Sequence, residues 1–178
     1  MKPVNRTELG RFLRQLPHEQ LVTQVLDLRA SFPQVRDYYE AKVRPASDEA
    51  VREKYRRIVE NEFFPARGFG KARLAVARKA VTDYKKLTAS VDGVADLMLF
   101  YVETGVRFTN AYGDIDEPFY LSMERMYASA LDWIRKHRLE EQFRDRCARI
   151  VDDTRDIGWG FHDALGEAYS DRFDTPGP

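Results

Sequence analysis

A single cysteine, few turn-forming residues and no excess of either charge are the first features of this 178-residue chain. Cys147 has no mate, so no internal disulfide can form. A secreted domain of this size ordinarily carries an even set, which makes a reducing, cytoplasmic setting the expectation. Ten glycines and eight prolines allow few turns, so the elements must be long. The most apolar stretch, residues 94–102, is interrupted by Asp96 and is too short to cross a bilayer. Residues 1–6 lead into no apolar segment of signal-peptide type, and no membrane passage is expected.

Several chemical signatures are missing as well. No stretch alternates apolar and polar residues between turn signals, so no sheet is predicted. The chain carries no dinucleotide fingerprint, zinc knuckle, RNA-recognition signature or nucleophile elbow. The Glu-x-x-His pairs of metal-binding bundles are also absent. Neither a cofactor nor a metal is expected. His18, His137 and His162 lie far apart in sequence, and Cys147 falls on an apolar helix face, as expected of an inert core thiol.

What is present is helical periodicity. Leu9, Phe12, Leu13 and Leu16 share one side of a helix starting near Thr7 and Glu8. Pro17 opens a second helix with Leu21, Val25 and Leu28 on its stripe, and Pro33 opens a third that Pro45 closes. Ser47 reads as the cap of a helix ending near Phe64. The next is predicted from Lys71 to Leu87, with Leu74, Ala77, Val81 and Tyr84 inward. Ser90 caps a nearly all-apolar helix to about Ala111, in which Glu103 and Arg107 are spaced to pair at i, i+4. Asp116 caps another, with Pro118 in its first turn and Met123, Met126, Tyr127 and Trp133 on its face. A last, continuous helical region is predicted from Leu139 to Phe173, followed by a frayed tail of residues 174–178. The expected fold is therefore all-α, a single domain over residues 1–173. It is a compact multi-helix bundle or short helical-hairpin array of about seven to eight helices, without a sheet.

Charge is balanced in total, with 29 basic and 29 acidic side chains, but not along the chain. Residues 52–86 carry 11 basic and 4 acidic groups, a net +7. Residues 87–132 carry 2 and 8, a net −6, and residues 139–174 carry 5 and 10, a net −5. Within the basic segment, Arg67-Gly68-Phe69-Gly70-Lys71 precedes a helix that continues with Arg73 and Arg78. Glycines admit close backbone approach and helix N-terminal amides favour anions. Arg67, Gly68, Gly70, Lys71, Arg73 and Arg78 thus form a candidate anion-binding set, with protein or nucleic acid as the partner. The plain alternative is a turn and a solvated helix face.

A second candidate is a polar face for a ligand or partner. Asp152, Asp156, Trp159 and His162 fall together in the last helical region, where an indole among carboxylates asks for a neighbour or a partner. Gly158 and Gly160 flank Trp159 and suggest a close crossing or a kink. Asn110 and Asp114 of the Asn110-Ala111-Tyr112-Gly113-Asp114 segment join this candidate set. Helix ending by Gly113 and helix capping by Asp116 explain most of that segment without any ligand.

Three stretches look familiar together: Phe63-Phe64-Pro65-Ala66-Arg67-Gly68-Phe69-Gly70-Lys71, Phe108-Thr109-Asn110-Ala111-Tyr112-Gly113-Asp114 and Asp156-Ile157-Gly158-Trp159-Gly160-Phe161-His162-Asp163. In compatible order over residues 7–172, they resemble a bacterial family of short all-helical proteins defined as a domain of unknown function. The resemblance implies a helical fold in bacteria and brings no activity or catalytic residues. Residues 16–39 are also similar to one hairpin of the helical-repeat proteins, which implies a binding scaffold. Three expectations follow: a cytoplasmic binding or adaptor protein using the basic loop–helix of residues 67–86, an enzyme or metal-dependent protein using the acidic Trp/His face of residues 152–163, or a structural homo-oligomer.

Overall fold

The computed structural model describes residues 3–43 and 48–173, so Pro45, Ser47 and the tail from Asp174 lie outside the described residues. Within them every regular element is a helix, nine in all. α1 (Arg6–Gln15), α2 (His18–Ser31) and α3 (Pro33–Val43) form an amino-terminal arm. α4 (Asp48–Phe63), α5 (Leu74–Leu87), α6 (Val91–Tyr112), α7 (Glu117–His137), α8 (Glu140–Asp152) and α9 (Phe161–Phe173) form the bundle.

Side-chain caps set several of these boundaries. Asn5 accepts from the amides of Thr7 and Glu8 while the Glu8 carboxylate accepts from the Asn5 amide, a reciprocal box that starts α1. Ser90 accepts from the Gly93 amide at 3.0 Å and starts α6. Asp116 accepts from Phe119 at the start of α7, and Gly113, at φ +87°, ends α6.

α6 is the core axis. Leu97, Leu99, Tyr101 and Val102 are fully buried along it, and α4, α5, α7 and α8 all pack on it. α7 reaches it closely because Gly105 has no side chain: a Cβ there would sit 2.3 Å from the Met123 sulfur. Asp96 and Glu103 on α6 are covered rather than solvated. The Arg146 guanidinium of α8 donates to Asp96 (2.7 Å) and Glu103 (2.6 and 2.8 Å), while Arg52 and Arg56 of α4 approach Asp96 at 3.5 Å. Arg107 donates to Glu60 of α4 (3.2 Å), so the expected Glu103–Arg107 pair gives way to two interhelical pairs. Cys147 is fully buried as expected, and burial pushes its thiol up to about 12.

The carboxy-terminal region differs from expectation. It is two helices, with turns over residues 153–160, not one from Leu139 to Phe173, which raises the total above seven to eight. Thr154 folds back to the Val151 carbonyl (2.6 Å), and Trp159 and Gly160 take left-handed φ values of +64° and +69°. The interruption is about two helical turns long, so Ile157 and Phe161 still point into the core and the apolar rhythm survives the break.

Candidate functional site

The three stretches that carry the resemblance meet at one end of the bundle. The rings of Phe64 and Phe69 lie 6.2 and 6.3 Å from that of Tyr112, beside Phe108. Asn110 donates to the Asp153 carbonyl at 3.0 Å, tying the end of α6 to the α8–α9 turns. Asp114 accepts from the Tyr120 hydroxyl at 3.1 Å, and Trp159 stacks on the same Tyr120 ring at 6.3 Å. Asn110, Asp114 and Trp159, read from separate segments, are thus brought together.

Trp159 is 64% exposed, and its left-handed backbone costs about 1–2 kcal/mol for a side chain of this kind. Its polar neighbours in sequence point elsewhere. Asp152 pairs with Arg155 at 2.6 Å. The Nδ1 of His162 lies 3.1 Å from the Val151 carbonyl and 3.0 Å from the Thr154 hydroxyl. A carbonyl only accepts, so this contact requires the proton on Nδ1. Asp156 is exposed on the turn. Among the described residues, no group of three His, Cys, Asp or Glu side chains is placed to hold a metal ion.

The basic loop is built differently from its sequence reading. α5 starts at Leu74, three residues beyond Lys71, so no helix N-terminus follows directly on the glycines. Ala72 turns left-handed (φ +44°), and its amide donates to the Glu62 carbonyl at 2.7 Å. The Arg73 fork then grips the Glu62 carboxylate at 2.8 and 2.7 Å. These bonds hold the Glu62 carboxyl below its ordinary 4.5, against the opposing effect of burial. Gly70 serves packing: a Cβ there would fall 1.9 Å from the Phe63 carbonyl oxygen. Arg67, Gly68 and Lys71 remain on the exposed surface.

Arg78 belongs to another place. α5 and α7 lie side by side on α6, leaving between them an open groove of about 630 Å³. α5 lines it with Arg78, Val81, Thr82, Lys85 and Lys86, and α7 with Ser122, Arg125, Met126 and Ser129. Both sets follow i, i+3, i+4, i+7 spacing, so each helix turns one complete stripe toward the gap. Met98 of α6 contributes to the floor. At one end, Arg78 donates to the Ser122 hydroxyl (3.1 Å), whose oxygen also meets the buried Tyr101 hydroxyl (2.7 Å). Near the other, the Lys85 ammonium sits 3.9 Å from the Trp133 ring centre, and the Trp133 indole donates to the Val91 carbonyl. Four cations thus line an apolar-floored channel between fixed ends. Sequence reading singled out Arg78, and held Lys85 and Lys86 only within the basic loop–helix of residues 67–86, but did not find Ser122, Arg125 or Ser129. Their only signal is a polar stripe on α7 whose neighbour becomes known once α5 and α7 share α6.

Fold and surface together define an all-α bundle with a lateral groove and an aromatic end. The chain belongs to the family of unknown function DUF6155, whose profile matches residues 4–174. No curated protein and no solved structure matches it. Among the described residues, no helix is long and apolar enough to cross a membrane.

Proposed function

We propose that this chain is a cytoplasmic binding protein whose α5–α7 groove docks an acidic, amphipathic helix of a partner protein. The observation that carries the reading is the pair of facing helical stripes, with Arg78, Lys85, Lys86 and Arg125 beside Val81, Met98 and Met126. A helix laid between two such stripes can interdigitate with both. Its apolar side would cover the methionines and valine while its carboxylates meet the cations. The apolar floor and a whole-chain net charge of zero favour a peptide over a nucleic-acid backbone, which selects strongly basic surfaces. The lone buried cysteine supports the reducing setting.

The test is anisotropy of a labelled acidic amphipathic helical peptide and of a single-stranded oligonucleotide, each titrated with two variants of the full chain. Lys86→Glu/Arg125→Glu reverses the groove, and Arg67→Glu/Lys71→Glu reverses the loop. The expected result is salt-sensitive peptide binding that weakens at least ~10-fold in the groove variant only, because each lost charge-assisted contact contributes about 1 kcal/mol or more. Peptide binding unchanged by the groove variant, or stronger binding of the oligonucleotide than of the peptide, would contradict the proposal.

A further inference from the structure

One indole stands outside both the core and the groove. Trp159 stacks one face on the Tyr120 ring, with 26° between the planes, yet it is 64% exposed, so its other face is open. No atom lies within 4 Å of where a Cβ on the adjoining Gly160 would be, so nothing crowds the turn at that point. The left-handed φ of +64° at Trp159 is one that bulky side chains rarely adopt, and it persists only where the surrounding turn enforces it. The same end of the bundle exposes Tyr112 and Phe69, whose rings are 6.3 Å apart.

The unpaired charge beside this ring has one sign. Asp114 is anchored next to it: its Oδ1 accepts from the Tyr120 hydroxyl, and its Oδ2 lies 3.6 Å from where a Cβ on Gly158 would be. Asp114 is exposed, so Oδ2 is open to a donor. The two turns that Asn110 and Tyr120 tie together, residues 113–117 and 153–160, also carry Asp116, Glu117, Asp153 and Asp156. With Asp114 these are exposed carboxylates that, among the described residues, enter no ion pair. The one cation of the two turns, Arg155, is held by Asp152. Arg67 and Lys71 belong to the Phe69 loop, which meets Tyr112 rather than Trp159.

We infer that this end of the bundle is a second docking surface, which takes a basic, arginine-bearing segment of a partner protein. One guanidinium lies flat on the open face of Trp159 and donates to Asp114, while further basic side chains of the segment meet Asp153 and Asp156. A guanidinium is planar, stacks on an indole and carries its donors around its edge, so a single group satisfies both the ring and the carboxylate. Tyr120 behind the indole fixes its orientation, so little side-chain freedom is lost on binding. The same carboxylates repel phosphate-bearing partners, whether nucleic acid or an anionic membrane. The surface shares no residue with the α5–α7 groove, and this inference stands or falls independently of the function proposed above.

Anisotropy of two labelled peptides, titrated with the full chain, tests it. One alternates arginine and glycine, and the other carries lysine in place of each arginine. The wild type is expected to bind the arginine peptide more tightly, although the two charges are equal, because only a guanidinium stacks and donates in one plane. Trp159→Gly should weaken the arginine peptide at least ~10-fold. Glycine adopts the left-handed backbone freely, so the helical circular dichroism should be unchanged. Asp114→Asn, which keeps the acceptor for Tyr120, should weaken the same peptide about 5-fold, the difference between a charged and a neutral acceptor. Equal binding of the two peptides, or an arginine-peptide affinity unchanged by either substitution, would overturn the inference. So would a wild type that sediments as a dimer dissolved by Trp159→Gly, which would assign the surface to a second copy.

Discussion

Glu62 shows how one side chain can organise a loop. Its carboxylate is buried at the end of α4, accepts both prongs of the Arg73 fork and takes the Arg73 amide at 3.3 Å. Because Arg73 lowers the folded-state pKa below the ordinary value of 4.5, the carboxylate stabilises the fold fully above that value. The contribution is lost as pH falls through the lowered folded value, where both states become protonated. Glu62→Gln is therefore expected to be less stable than wild type at neutral pH, with the gap narrowing on acidification below about 4.5. Urea unfolding at a series of pH values measures this, and a pH-independent gap would contradict it. The pairing was not legible in the sequence: residues 62 and 73 are eleven apart across a loop, and Arg73 reads as one more cation in a basic run. Gly70 was legible only as a glycine, because its reason is the Phe63 carbonyl 1.9 Å from where a Cβ would be.

Between elements, α6 is held to α8 by Arg146. Burial opposes the charge on this guanidinium, but Glu103 and Asp96 outweigh that cost and raise its affinity for the proton. Removing it leaves Glu103 and Asp96 half-buried without their main partner. Arg146→Ala should cost about 3 kcal/mol, the low end for a broken buried pair because solvent still reaches the group. Arg57→Ala, which breaks an exposed i, i+4 pair with Glu53, should cost no more than about 0.5 kcal/mol. Equal effects of the two on urea unfolding would show that the α6–α8 network is not structural. At this scale the sequence was most informative where a cap and a stripe coincide. Ser90 and Asp116 mark real starts, and Ala77, Val81 and Tyr84 are buried together. It misled at residues 153–160 because Ile157 and Phe161 keep helical spacing across the turns, and only Gly158 and Gly160 signal the break. It misled at α6 because Glu103 and Arg107 satisfy a local rule, whereas α8 and α4 each offer a nearer partner.

The whole molecule distributes its surfaces by direction. The arm turns apolar stripes outward, the lateral groove turns cations, and the end of the bundle turns Phe69, Tyr112 and Trp159, with Phe69 at 84% exposure. The basic character of residues 52–86 was legible, but its division was not. Arg52 and Arg56 face Asp96, Arg73 is taken by Glu62, Lys79 pairs with Asp83, and Arg78, Lys85 and Lys86 line the groove. That division follows from the shared packing of α5 and α7 on α6, a tertiary fact that no window of sequence contains. The central claim is that this groove receives an acidic helix. The measurement that tests it most directly is a map of backbone amide chemical shifts in the full chain titrated with the acidic amphipathic peptide. The account predicts changes concentrated at Arg78, Lys85 and Lys86 on α5, at Ser122, Arg125 and Ser129 on α7, and at Met98 beneath them. Changes centred instead on residues 64–73 or around Trp159, with the groove unmoved, would contradict it.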